Sequence, residues 1–152
     1  MDIAIESRTL TASRDYSLFA NKFGWDAAIN GTVLIADLVK ATHYPEGFLK
    51  VGLILAKYTS GGNAGLWTPW VENDASATGR NTIAGVVFSG FDVRTTDGVA
   101  VATKTAGAII PKGVPCQVYL AKMPGLLLTD GTTANPILAA DLTTLGFINV
   151  AE

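Results

Sequence analysis

The chain has one cysteine and one histidine in 152 residues, and that scarcity removes several chemistries at once. A single thiol makes no intramolecular disulfide, which suits synthesis and assembly in a reducing cytoplasm. One imidazole and one thiol do not make a zinc-binding cluster. The acidic residues fall singly, so neither a calcium loop nor a carboxylate pair is readable, and no metal or cofactor is expected. Charge is sparse too: 16% of residues are charged, against roughly a quarter in ordinary globular domains. The 11 basic and 13 acidic residues leave a net charge of −2. No basic block occurs, so the counterion release that drives nucleic-acid binding has no source. No run approaches the ~18 apolar residues of a membrane span. The opening MDIAIESRTLTASRD mixes charges where a secretory signal needs an apolar stretch, so neither a membrane nor an export signal is expected.

What is present is apolar. Hydrophobic residues make up 49% of the chain and mean hydropathy is positive, which excludes wholesale disorder. A chain of this size buries a real core as one domain. One so apolar and so lightly charged is expected to hide part of its surface against a partner. Three zones follow. Residues 1–45 read as an arm, with six charges in the first 22 positions and isolated strand-like pieces, Ile3-Ala4-Ile5 and Thr32-Val33-Leu34-Ile35.

The β-rich domain is assigned to residues 46–152. Within it, Phe48 to Tyr58 reads as a strand with Leu49, Val51, Leu53 and Leu55 on one face, ended by the turn Thr59-Ser60-Gly61-Gly62-Asn63. Thr82 to Val93 is a second strand-like run, with Ile83, Val87, Phe91 and Val93 at even spacing. Asp97-Gly98 signals a hairpin leading into Val99-Ala100-Val101-Ala102-Thr103. Ile109-Ile110 meets Pro111, and Val114 to Lys122 reads as a further strand. Leu138, Leu142 and Leu145 have helical spacing, which predicts a short helix over residues 138–145, and Phe147 to Val150 returns as a terminal strand. Short β-rich runs divided by Gly, Pro, Asn and Asp argue for a mainly β (β-rich α+β) barrel or sandwich.

Candidates for chemistry are few. His43 has a pKa near neutrality in water, but no nucleophile–base–orienter set accompanies it; a turn histidine beside Tyr44 is the expected role. Cys116 alternates with Val118 and Leu120, so it reads as a core thiol. Gly61-Gly62-Asn63-Ala64-Gly65 lacks the Gly-Lys-Ser/Thr ending of a phosphate-binding loop and reads as a plain loop. The unusual resource is aromatic: Trp25, Trp67 and Trp70. In Leu66-Trp67-Thr68-Pro69-Trp70 the proline argues against a central strand, which places at least one indole near the surface. Three roles stay open for these rings: cover for a barrel rim, a protein interface, or a stacking platform for sugar.

The succession HYPEGFLKVGLILAKYTSGGNAGLWTPW, then TIAGVVFSGFDV, then the strand before AKMPG, resembles the lambda-type head decoration, or capsid-cementing, proteins of tailed bacteriophages. The likeness covers residues 40–124 and touches the N-terminal arm only in character. In the longer members a charged arm leads into a His-Tyr-Pro-x-Gly-like segment, here His43 to Gly47. That segment opens a strand ending near a Gly-rich turn, here Phe48 to Gly62. An A-G-V-V-F-type strand follows, here Ala84 to Phe88. The stretch from Leu126 onward has no counterpart in the family.

The resemblance implies a small β-barrel or β-tulip-like domain with an extended N-terminal arm, to which the leucine spacing adds a short C-terminal helix. It also implies a non-enzymatic virion protein, made in the host cytoplasm, that sits as a homotrimer on the outer capsid surface. There it stabilises the expanded head by contacts to the major capsid protein, without nucleic acid, membrane or cofactor. The arm of such proteins adds a strand to the shell, and Ile3, Ile5 and Leu10 are the residues expected to contact it. Trp25, Trp67 and Trp70 are the candidate interface aromatics. The competing expectation is a carbohydrate- or receptor-binding β-module of a phage fibre or surface structure, with Trp67 and Trp70 as its platform.

Overall fold

The computed structural model describes residues 16–75, 77–89, 92–93, 104–124, 126–127, 134–135 and 137–151. At its centre five strands close on themselves: β1 (Ile29–Leu34), β2 (Ile54–Lys57), β3 (Trp67–Pro69), β4 (Ile83–Ser89) and β5 (Lys104–Pro111). Their order around the barrel is β1–β3–β2–β4–β5. Closure comes from β1 and β5, antiparallel from Ile29↔Ile109 to Leu34↔Lys104. The parallel contact of β1 with β3 rests on one register position, Val33↔Trp67. Register shifts at Leu55/Ala56 and at Val87/Ser89 add local twist, which a small barrel needs in order to curl.

Two glycines let the wall close. A Cβ on Gly31 would overlap Ile109 Cδ1 and stand 2.9 Å from Trp67 Nε1, so this inward position is kept empty for an indole. A Cβ on Gly85 would lie 2.8 Å from the Ile110 carbonyl oxygen, where β4 and β5 run too close for a side chain. Val33, Leu55, Val87 and Ile109 are completely buried in the core that results.

Smaller pieces cover the barrel from outside. The segment around Phe19, then β6 (Gln117–Val118), then β9 (Ile148–Asn149) form a three-ply ribbon. It is tied by Ala20 N–H donating to the Gln117 carbonyl at 2.9 Å and Ile148 N–H to the Cys116 carbonyl at 2.8 Å. Between β6 and β9 come the pair β7 (Leu126–Leu127) and β8 (Ala134–Asn135), and then the helix α2 (Ala139–Leu145). The helix α1 (Lys40–His43) is a single turn that lies against β7.

The predicted C-terminal helix is therefore present. The Asp141 carboxylate accepts the Leu138 N–H at 2.7 Å at its start. At its end Gly146 takes φ 83°, with Gly146 N–H bonded to the Thr143 carbonyl and Phe147 N–H to the Leu142 carbonyl. That pair of bonds satisfies the last free carbonyls of the helix. Leu142 and Leu145 are buried against the body as their spacing requires, whereas Leu138 precedes the helix and is exposed.

Three sequence expectations are corrected. The arm zone 1–45 contains β1, a barrel strand with six paired residues, and the core residues Leu18 and Phe19. The described part of that zone is thus body; residues 1–15, with Ile3, Ile5 and Leu10, lie outside the described residues. The strand expected over Phe48–Tyr58 is paired in the sheet only from Ile54 to Lys57, with one isolated bridge at Phe48. Gly52 at φ 86° turns the chain in between. Leu49, Val51, Leu53 and Leu55 are all buried, so the alternation marked the core correctly without marking a continuous strand. Val114–Lys122 narrows to the two residues of β6, followed by a 3-10 turn at Leu120–Lys122. The hairpin expected at Asp97-Gly98 and the run Val99–Thr103 fall outside the described residues. No helix among the described residues is long and apolar enough to cross a membrane.

Candidate functional site

The segment from α1 to β2 carries the lone histidine. Its turn is as the residue types demand: Tyr44, restricted by the following proline, leaves the helical region at φ −146°, ψ 54°. Gly47 then takes φ 92°, a left-handed value that suits glycine. The extended geometry expected of Tyr44 is reached in φ and not in ψ.

His43 is buried, and its environment is specific. The ring Nδ1 accepts the Val39 N–H at 2.8 Å, across the one turn of α1. Nδ1 is therefore unprotonated and the ring proton sits on Nε2, which is buried with no partner. Burial, then the nearby Lys50 ammonium, push the pKa of His43 down to about 4. The ring is thus held neutral and closed off from any substrate, and it works as an internal cap on a helix of four residues.

Beside this segment lies a cleft of about 190 Å³, lined by Leu18, Pro45, Phe48 and Val51 with Glu46, Lys50 and Lys122 around them. Its lining mixes apolar side chains with charges of both signs. Lys122 also lies over the Tyr119 ring, 4.6 Å from its centre.

The tryptophans separate into two environments. Trp67 and Trp70 are each only 5% exposed, which overturns the expectation that the proline would leave an indole near the surface. Pro69 stands opposite Leu55. The next N–H, from Trp70, donates to the Ile54 carbonyl at 3.1 Å. Position 69 thus lies between the hydrogen-bonded positions of the ladder, and β3 loses nothing toward β2 by lacking that N–H. The Trp70 indole N–H donates to the Asn81 carbonyl at 3.1 Å, and Lys57 Nζ sits 5.5 Å from the centre of the Trp67 ring. Neither ring offers a face to a ligand. Trp25 alone stays partly exposed, packed with Tyr16, Phe19 and Phe88 at ring separations of 5.8, 5.7 and 5.1 Å. Beside it Phe23 is 62% exposed, the most exposed large apolar side chain among the described residues.

Cys116 is fully buried, as expected of a core thiol, and burial pushes its pKa up to about 11. The glycine-rich stretch is the loop between β2 and β3. Gly61 and Gly65 take φ 77° and 87°, and nothing would meet a side chain at Gly61, Gly62 or Gly65. Among the described residues no group of three His, Cys, Asp or Glu is placed to hold a metal ion. Sequence reasoning missed both the His43 cap and the cleft. The partner of His43 is a main-chain N–H, which leaves no signature in residue types, and the cleft joins residues more than 70 positions apart. Comparison with known proteins finds no matching family model, no similar curated protein and no matching solved structure.

Proposed function

We propose that this protein is a capsid decoration protein: a virion structural component that binds the outer face of a phage shell as a homotrimer and cements the expanded head through the major capsid protein. One observation carries the reading. The two longest segments that resemble the decoration family build neighbouring strands of the barrel wall: the entry turn at His43–Gly47, then β2, the glycine loop and β3, and after them β4, while the third segment, before AKMPG, lies in β6 outside the barrel. A likeness confined to scattered loops would carry less weight than one laid along the framework.

The proposed grip is the N-terminal segment with Ile3, Ile5 and Leu10. Alternating apolar residues of this kind fill pockets while the backbone adds to an open sheet edge. Three such segments in a trimer turn weak single contacts into firm binding. Removing residues 1–12 is expected to leave a folded trimer that no longer decorates expanded heads, measured by co-sedimentation with decoration-stripped heads. Full occupancy by the shortened chain would refute the grip. The rival reading as a glycan- or receptor-binding module depended on Trp67 and Trp70 as a platform, and their burial removes that support.

A further inference from the structure

We propose that His43 is an acid-operated latch on the segment Val39–Val51, and that protonating it frees this segment and opens the cleft it lines. The geometry is that of a contact with one permitted protonation state. Nδ1 accepts the Val39 N–H at 2.8 Å. A second ring proton has to go onto that same nitrogen, where it turns an acceptor into a donor facing a donor. The resulting imidazolium is buried, with no partner bonded to Nε2.

The consequence travels along a short path. The turn α1 has only four residues and no side-chain cap from Val39 at its start; the Val39 N–H is instead held by the His43 ring at the other end of the turn. The His43 carbonyl accepts the Lys50 N–H at 3.0 Å, so the far end of the loop hangs on the same residue. Between these two attachments lie Pro45, Glu46 and Phe48, and with Lys50 and Val51 they form one wall of the cleft. The far side of this segment meets the barrel through the Val93 N–H to Gly47 carbonyl bond of 2.8 Å, which the ring does not touch.

The surrounding charges favour this behaviour. Lys40 and Glu46 flank His43 on its own segment, β7 packed against α1 carries no titratable residue, and Asp92 lies on the bridge to Phe48. The charge that acts on the ring is Lys50, and it opposes protonation. The sign follows: with the folded pKa lowered from 6.5 to about 4, the stabilisation is complete above pH 6.5 and is lost as pH falls toward 4. Linkage then multiplies the open population by roughly 20-fold at pH 5 and on the order of 100-fold at pH 4, relative to pH 7.

The test is amide hydrogen exchange on the full chain at pH 7.5 and 5.0, corrected for intrinsic exchange. It compares residues 39–52 with β4, and wild type with His43→Gln, which cannot take a proton. The expected result is a rise of at least about 10-fold in exchange over residues 39–52 of the wild type alone, with β4 unchanged. An equal rise in β4, or the same rise in His43→Gln, overturns the latch. Should His43→Gln fold poorly, NMR titration of the wild-type ring decides. A midpoint well below 6 with segment resonances shifting in step supports the proposal, and an ordinary midpoint with a static segment refutes it.

Discussion

The two halves of the barrel wall are built differently. Along β2 the residues Ile54, Leu55 and Ala56 are all fully buried, so both faces are covered, and the three residues of β3 are buried as well. Along β1 and the first part of β5, by contrast, the outward positions Asn30 and Ala106 are exposed, and Ile29 is 45% exposed at the strand's end, while Ile109 and Ile110 at the far end of β5 are both fully buried. The covered half reads in sequence as a continuous apolar run, as strands buried on both faces do. The open half reads as small and polar residues with an inward stripe. The covered half is therefore where stability is concentrated, and the open half has surface to spare.

Mutations can break this contrast. Leu55→Ala, in the covered half, is expected to lower unfolding stability by about 2–5 kcal/mol, while Thr32→Ala on the outer face of β1 should stay within about 0.5 kcal/mol. Urea denaturation of both decides it. A costly Thr32→Ala would show that the open face is itself packed, in this chain or in an assembly. Next in size, Gly31→Ala tests the inward side of the open half. The added methyl meets Ile109 and the Trp67 indole, and overpacking of this kind costs about 1–3 kcal/mol. A neutral result would mean the indole has room to move. Smallest in energy is the Cys116 thiol, buried with its pKa pushed up to about 11. At pH 8 an aromatic disulfide reagent should label it no faster than the chain opens, and prompt labelling of the folded protein would place it nearer the surface.

The same contrast explains what was legible in the residues. Alternation and β-branched content located β4, and leucine spacing located α2; of β5 only the pair Ile109-Ile110 before Pro111 was marked. The first strand was marked only as an isolated piece at Thr32–Ile35, because Gly31 interrupts its inward pattern and its partner β5 lies 70 to 80 residues on. Trp67 and Trp70 were misplaced because a proline was weighed as a strand breaker without knowing its register. Pro69 is tolerated where the ladder requires no N–H from it. Burial of His43 was equally hidden, since a ring capping a main-chain group leaves no motif. Turn geometry, by contrast, was legible at Gly47, where backbone sterics act locally.

The loop at Gly61–Gly65 has a practical meaning. A side chain added at Gly61, Gly62 or Gly65 would meet nothing within 4 Å, and both ends are held by main-chain bonds from Tyr58 N–H to the Leu66 carbonyl and from Gly65 N–H to the Tyr58 carbonyl, each 2.9 Å. Lengthening such a loop adds only about 0.6 kcal/mol of closure cost per doubling. The molecule thus carries a ready socket for cargo, where a foreign peptide can be displayed without disturbing the barrel beneath it.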